Sequence, residues 1–388
     1  MISVAEALAR CLALVSSLPA ETVALRHAVG RMMAAPALAL RDQPPFDASA
    51  MDGYAVCGDP MAGDQFAVVG TAQAGHGFKG AVQIGQAVRI FTGAPVPQGA
   101  TRVILQEDVN LAGDKITLNP KADIARHIRP QGQDFKAGED FAPRRIGPHD
   151  LALLAAMNIP QVLVHRRPVV AIIATGDELV MPGENPQPGQ IICSNSFAIA
   201  ALVEAQGAVA RILPIARDTA GDLKAVFGLA AGADLIVTIG GASVGDHDLV
   251  GPVAESLGLE RAFWKIAMRP GKPLMAGRVL GTAMVGLPGN PVSAIVCAHL
   301  FVLPMVRALQ GRPDVAPMEQ SATLGADVDA NGPRSHYMRA RLNDGIITPF
   351  ERQDSALIGI LTQANALLIR PVGEGAQVMG SVARYIAL

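Results

Sequence analysis

The chain has 388 residues, half of them hydrophobic, with 32 basic against 34 acidic side chains. Domains usually take about 100–200 residues, so two to four units are expected. A net charge of −2 excludes the broad positive surface that nucleic acid or an anionic membrane would require, so any anionic ligand must be held by a local pocket. The four cysteines, Cys11, Cys57, Cys193 and Cys297, lie far apart and form no Cys-x-x-Cys pair. That spacing argues against a zinc site, an iron–sulfur cluster or a disulfide framework, and fits a reducing compartment.

In chain order, Val4, Leu8, Leu12 and Val15 recur at helical spacing, so residues 1–20 read as an amphipathic helix rather than a secretion signal. The first 165 residues are β-leaning. Short segments rich in β-branched residues (66–69, 88–91, 103–105 and 115–118) alternate with Gly-containing turns, the texture of a small β-domain. Pro148 opens a helix through Met157, ended by Pro160. From Arg167 the texture changes. Residues 169–174 and 235–239 are continuous apolar runs, the mark of strands buried on both faces. A helix from Ser194-Asn195 to Gly207, strand-like 263–268 and 283–286, and a helix from Pro291 complete an alternating pattern. It predicts a doubly wound parallel sheet that closes near 310–313. The longest apolar run, 294–306, is too short to span a bilayer, which takes roughly 20 residues; the expectation is a soluble, cytoplasmic protein. Residues 318–388 return to short β-like segments and predict a small β-barrel or sandwich.

In a parallel α/β sheet, ligands bind outside the carboxyl ends of the strands. Four loops at such ends carry unusual residues: Thr175-Gly176-Asp177-Glu178-Leu179, the stretch 240–248, Met268-Arg269-Pro270-Gly271-Lys272-Pro273, and Gly286-Leu287-Pro288-Gly289-Asn290-Pro291. Glycines let backbone N–H groups approach an anion, and helix N-termini add a favourable dipole. The carboxylates Asp177, Glu178, Asp246 and Asp248 would repel phosphate directly, but suit Mg²⁺ bridging to phosphate oxygens. Lys265 and Lys272 flank one loop in a chain poor in lysine. Singly, each loop reads equally as a turn; Asn290-Pro291 reads as an N-cap with proline at the first helical position, and Asp218-Thr219 as the cap of the next helix. Together they point to Mg²⁺-assisted handling of a phosphorylated or oxyanionic ligand. The segment 44–55, with Pro44-Pro45 and Asp52-Gly53, reads either as a site element or as a linker.

These stretches, with Phe91-Thr92-Gly93-Ala94-Pro95, Gly138-Glu139-Asp140 and the ordered loops above, resemble the molybdopterin molybdenumtransferase (MoeA) family, related to the E domain of gephyrin. The likeness covers residues 1–310, with a compatible tail. It implies an α/β multidomain chain: a discontinuous N-terminal domain (1–44 and 133–166), an inserted β-rich domain (45–132), a doubly wound parallel-sheet (Mog-like) domain (167–312) and a C-terminal β-barrel (313–388). It also implies a homodimer whose site lies between subunits, so that Asp52 and Asp140 face the partner. The implied substrates are adenylylated molybdopterin and molybdate, with Mg²⁺ assisting and AMP leaving. By matched position, Glu178, Asp218 and Asp248 join Asp52 and Asp140 as catalytic groups. Glu178, Asp177, Asp246 and Asp248 would hold the metal ion. Gly240, Gly241, Ser243, Gly245, Lys265, Arg269, Lys272, Pro288, Asn290 and Ser355 would bind the substrate. Implied partners are a molybdopterin adenylyltransferase and cofactor-accepting enzymes, with no nucleic acid or membrane. Ala48 stands where the family often has Asn, Ala242 replaces a common Val, and Arg269 replaces Lys in some members. The competing readings are a non-catalytic pterin carrier or scaffold, and the preceding adenylylation step.

Overall fold

The computed structural model describes residues 1–241 and 249–388. The chain divides into two compact units, one of residues 22–29 and 35–163, the other of 1–21, 30–34 and 164–388.

The smaller unit is built on a six-stranded sheet whose strands lie in the order Arg102–Leu105, Gly53–Val56, Gln86–Ile90, Gln65–Ala72, Lys115–Leu118, Val109–Ala112. Its two faces bury separate clusters, one around Tyr54, Phe66 and Ile116, the other around Ala55, Val88 and Val103. Alternate residues of Gly53–Val56 therefore serve opposite cores, the period-2 rule of a strand covered on both sides. Two short pairings, Ala48–Ser49 with Ile128–Arg129 and Ala37–Leu38 with Asp140–Phe141, accompany it. The helix Pro148–Ala156 starts with proline at its first turn, and the Asp150 carboxylate accepts the Gly147 N–H at 2.7 Å.

The larger unit holds the doubly wound sheet. Its elements are β1 (Val169–Ala174), α1 (Asn195–Ala205), β2 (Val209–Ile212), α2 (Ala220–Leu229), β3 (Leu235–Ile239), α3 (Val250–Ser256), β4 (Glu260–Trp264), β5 (Met275–Val279), β6 (Thr282–Leu287) and α4 (Pro291–Leu309). The strand order is β2-β1-β3-β6-β5-β4. The first four run parallel, while β5 and β4 form an antiparallel edge that the alternating pattern did not announce. Val170, Ile172, Val237 and Ile239 face α1, α4 and the N-terminal helix Val4–Leu12; Ala171, Ile173 and Ile236 face α2 and α3. Both faces are dry, which is why these strands read as unbroken apolar runs. Each fully buried isoleucine contributes about 1.5–3 kcal/mol. The expected strand 263–268 is split: Lys265 adopts φ 66°, ending β4, and Met268–Arg269 instead pairs in parallel with Ser335–His336 of the C-terminal sheet.

α4 is longer than the apolar run suggested. The 19-residue helix is long and apolar enough to cross a bilayer by length and composition, yet 83% of its most apolar 18-residue window is buried in the core. A π-helical segment, Ala298–Val302, precedes Pro304, which lacks the N–H and whose ring crowds the preceding turn. His299 lies on this segment, and burial pushes its imidazole down to about 4, with the Arg307 charge adding to the effect. Such a histidine stays neutral in the folded chain while its unfolded counterpart, near its ordinary value, takes up a proton. Stability is therefore full above about pH 6.5, falls as pH drops below it, and stops falling near pH 4. The loss from His299 amounts to at most about 3 kcal/mol, and urea midpoints at pH 7 and pH 4.5 should differ less in His299→Leu than in the unaltered chain.

The C-terminal strands β7 (Glu319–Leu324), β8 (Ser335–Asn343), β9 (Ile346–Pro349), β10 (Ala366–Arg370) and β11 (Val382–Ala387) close in the ring β8-β9-β7-β11-β10-β8, the expected barrel. Tyr337, Leu367, Ile369 and Ile386 carry its wall into the core shared with α4.

Candidate active site

From β1 the chain goes to β2 on one side and then returns to β3 on the other, so a crevice opens where the winding reverses. A cavity of about 580 Å³ occupies that place, lined among others by Thr175, Glu178, Asn195, Gly240, Pro288 and Asn290. Three strand ends are stitched together beneath it. Thr175 donates its N–H to Ile239 at 3.0 Å, and Gly240 donates to Leu287 at 3.1 Å. Gly240 adopts φ 94°, and a Cβ there would stand 2.8 Å from the Thr175 carbonyl oxygen. Only glycine fits this approach; Gly241 follows at φ 62°.

Two helices begin at the cavity. α1 starts at Asn195, whose side-chain amide donates to the Gly289 carbonyl at 2.7 Å and so ties this start to the 286–291 loop. α4 starts at Pro291 behind Asn290, which holds the N-cap position but whose side chain makes no capping bond. The first-turn N–H groups and partial positive charge at the start of α1 suit a phosphate or oxyanion; at α4, Pro291 has no N–H and the Val292 N–H is taken by the barrel loop, so that start contributes chiefly its dipole. Cys193 also borders the cavity, its thiol 3.5 Å from the Ser196 hydroxyl.

The acidic side of the crevice is held by a residue that the sequence reading missed. Arg217 donates to the carbonyls of Asp177 and Leu179 at 3.2 and 3.0 Å. Asp177 and Asp218 then clasp each other: the Asp218 N–H donates to the Asp177 carboxylate at 3.1 Å, and the Asp177 N–H to the Asp218 carboxylate at 3.4 Å. Capping of α2 falls to Thr219 alone, whose hydroxyl accepts the Asp222 N–H at 3.2 Å. Glu178 is exposed at the cavity wall. Ser243, Gly245, Asp246 and Asp248 lie outside the described residues.

The basic residues have separate contacts. Lys265 places its ammonium over the Trp264 ring, 4.5 Å from the centroid. Lys272 is exposed, and its carbonyl accepts N–H groups from Ile266 and Leu274 at 3.2 and 3.0 Å, which folds the loop back on itself. Arg269 lines a second cavity, against the barrel. Ser355 belongs to the barrel loop that reaches the crevice: its carbonyl accepts the Val292 N–H at 3.1 Å, and Ala356 lines the first cavity. A second missed residue, Arg339 on β8, is 1% exposed and fixes that loop through the carbonyls of Leu357 (3.0 Å) and Arg352 (3.3 Å). Arg217 and Arg339 follow no loop motif; their roles arise from contacts that only the fold creates.

In the smaller unit, Asp52 precedes the strand Gly53–Val56. Its carboxylate accepts both the N–H and the hydroxyl of Thr92 at 2.7 Å, and these bonds, with the nearby Arg89 charge, hold it below the usual carboxylate range. Arg89 itself lies over the rings of Tyr54 and Phe91, at 5.1 and 4.7 Å. Asp140 is exposed, opposite Leu38 in a two-residue pairing.

Compared with known proteins, residues 2–158 match the MoeA N-terminal region (domain I and II), residues 171–308 a probable molybdopterin binding domain, and residues 321–388 the MoeA C-terminal region (domain IV). The molybdopterin molybdenumtransferase of Nostoc sp. is 36% identical over 91% of this chain and 85% of its own length. Molybdopterin molybdenumtransferase 2 of Mycobacterium tuberculosis is 37% identical over 90% of each. The crystal structure of a molybdopterin biosynthesis MoeA protein from Pyrococcus horikosii covers all of this chain and 99% of its own, with 29% identity and a TM-score of 0.86. With a doubly wound sheet, a β-rich N-terminal region and a closing barrel matched in order along its length, the chain belongs to the molybdopterin molybdenumtransferase (MoeA) family.

Proposed function

We propose that this chain inserts molybdenum from molybdate into adenylylated molybdopterin and releases AMP, a step in assembly of the molybdenum cofactor. The observation that carries the reading is the crevice at the winding reversal, where two helix starts, the Glu178 carboxylate and the Gly240 approach converge in a chain of this family. The α1 N-terminus binds and orients the phosphoanhydride through backbone N–H groups, with the α4 dipole beside it. The exposed ammonium of Lys272 supplies a compact positive charge for molybdate or phosphate, and Ser355 contacts the substrate from the barrel side. Molybdenum takes its sulfur ligands from the dithiolene of the substrate.

Mg²⁺ fits the acidic wall. The clasp between Asp177 and Asp218 leaves one oxygen on each carboxylate uncommitted among the described contacts, and Glu178, next in the chain, lines the cavity. No group of three metal-ligating side chains occurs among the described residues, but Mg²⁺ is commonly held by one or two carboxylates with substrate phosphates completing its shell. When bound, the ion neutralises charge on the phosphoanhydride. Asp52 and Asp140 are assigned to the site of a partner subunit in a homodimer. Asp140 is exposed and Asp52 half-buried with an accessible carboxylate, which supports this assignment. A separate adenylyltransferase would deliver the substrate in the cytoplasm, and cofactor-using enzymes would accept the product.

The test is single-turnover AMP release from adenylylated molybdopterin with molybdate and Mg²⁺. Molybdate-dependent release is expected in the unaltered chain and a loss of about 100-fold or more in Glu178→Ala, the scale for removing one preorganised electrostatic group. Tight substrate binding without AMP release in either protein would leave a carrier and end the enzyme reading.

A further inference from the structure

The carboxylates on the acidic wall of the crevice are not equally engaged. Asp222 accepts the Arg217 N–H at 2.6 Å, and Asp177 and Asp218 each accept the other's N–H. All three therefore hold main chain in place. Glu178 differs: it lines the cavity, and its side chain forms no hydrogen bond or ion pair among the described residues.

What places the Glu178 carboxylate is the turn beneath it. The Leu179 N–H closes that turn on the Gly176 carbonyl at 3.4 Å. From outside, a single Arg217 nitrogen, Nη1, donates to the carbonyls of Gly176, Asp177 and Leu179 at 3.4, 3.2 and 3.0 Å. The Glu178 carbonyl accepts the Ile191 N–H at 2.8 Å, so every carbonyl from Gly176 to Leu179 has a donor. Gly176 adopts φ 143°, and the Glu178 carboxylate folds back over it. A Cβ at position 176 would stand 2.2 and 2.7 Å from the two carboxylate oxygens and 2.6 Å from the carbon between them. The carboxylate fills the space that a side chain at 176 would take.

We propose that Gly176 and Arg217 are positioning residues for the reaction: Arg217 sets the turn, and the missing side chain at 176 sets the Glu178 carboxylate in the crevice. This rests on the reading that Glu178 serves molybdenum insertion with release of AMP. A Cβ at 176 meets the far end of a flexible side chain rather than main chain. The relief open to Gly176→Ala is therefore a swing of Glu178 to another rotamer, away from its working place. A displacement of about 1 Å in a reacting constellation can cost about 100-fold in rate.

The test must separate this displacement from the strain that any side chain brings at φ 143°. Single-turnover AMP release from adenylylated molybdopterin, with molybdate and Mg²⁺, is measured for Gly176→Ala, Glu178→Ala and the double variant. Gly176→Ala should lose about 100-fold. The double variant should be no slower than Glu178→Ala, because the strain acts in both backgrounds while the carboxylate is lost only once. Losses that multiply would overturn the proposal. Arg217→Ala should lose about tenfold, and Arg217→Lys should recover part of it, since an ammonium offers three donors to the three carbonyls. An unchanged rate in Arg217→Ala would strike Arg217 from the assignment. Crystal structures of the unaltered chain and of Gly176→Ala give a readout that needs no turnover: the carboxylate displaced, the main chain of 176–179 unmoved. A carboxylate still lying over residue 176, or a turn shifted as a whole, would overturn the proposal. An unaltered chain that releases no AMP ends the parent reading and this one with it; multiplying losses in a chain that does release AMP end this one alone.

Discussion

Gly53→Ala is expected to unfold the sheet of the smaller unit rather than merely loosen it. The strand Gly53–Val56 is paired on both sides, with Gly53 opposite Ile90 on one neighbour and Leu105 on the other. A Cβ at this position would fall 1.8 Å from the Ile104 carbonyl oxygen and 2.8 Å from its carbonyl carbon. Both obstacles are backbone atoms of the neighbouring edge strand Arg102–Leu105, so no side chain can swing aside; relief requires that strand to part from Gly53–Val56. The cost should exceed about 4 kcal/mol, a large share of the roughly 5–15 kcal/mol that holds a typical domain together. Far-ultraviolet circular dichroism and urea unfolding would show it directly. A variant with an unchanged transition would show that the strands separate more easily than this packing allows. The same substitution should disturb Asp52, since the Gly53 carbonyl accepts a hydrogen bond from Arg89 at 3.0 Å and Arg89 stands near that carboxylate.

Arg339→Ala should have the next largest effect, and of a different kind. The guanidinium is almost wholly buried and is spent on main-chain carbonyls, while Gln353 exchanges two hydrogen bonds with the Arg339 backbone, both at 3.0 Å. Removing the side chain strands the Arg352 and Leu357 carbonyls and opens a void, a loss of about 3–5 kcal/mol. The barrel loop 350–357 then loses its internal peg. Because that loop carries Asp354, Ser355 and Ala356, the expected readout is double: a lowered melting temperature, and weaker binding of both pterin and AMP. Arg339→Lys keeps the charge but cannot reach two carbonyls in one plane, so it should recover part of the stability and little of the loop order. Intact binding in a destabilised Arg339→Ala would confine the residue to a structural role.

Much of the larger unit was legible. Residues 169–174 and 235–239 were apolar without interruption because both faces of those strands are covered, and they form strands at those bounds. Turn chemistry found the crevice loops, because glycine and proline mark strand ends by local sterics. What escaped was non-local. The antiparallel strand Met275–Val279 follows a Gly-Lys-Pro turn and resembles a continuation of the loop; its pairings with Thr282–Leu287 on one side and Glu260–Trp264 on the other make it a strand. Asp52-Gly53 read as a tight turn, yet it opens a central strand, because the demand on Gly53 comes from Ile104, some fifty residues away. The resemblance grouped Arg269 with Lys265 and Lys272 as substrate-binding residues by matched position. The φ 66° backbone at Lys265 ends one strand and the pairing of Arg269 with His336 begins another, a change of partner that sequence nearness does not show.

That last pairing has a mechanical consequence. Met268 and Arg269 add in parallel to β8, with Met268 opposite Ser335 and Arg269 opposite His336. Strand pairing tolerates no half-steps: a slip by one residue would drive the Met268 side chain, fully enclosed in the core, out to the opposite face. The barrel and the doubly wound domain are thus geared together at this register, beside the core they share at α4, so that neither can slide along the other without exposing a buried methionine.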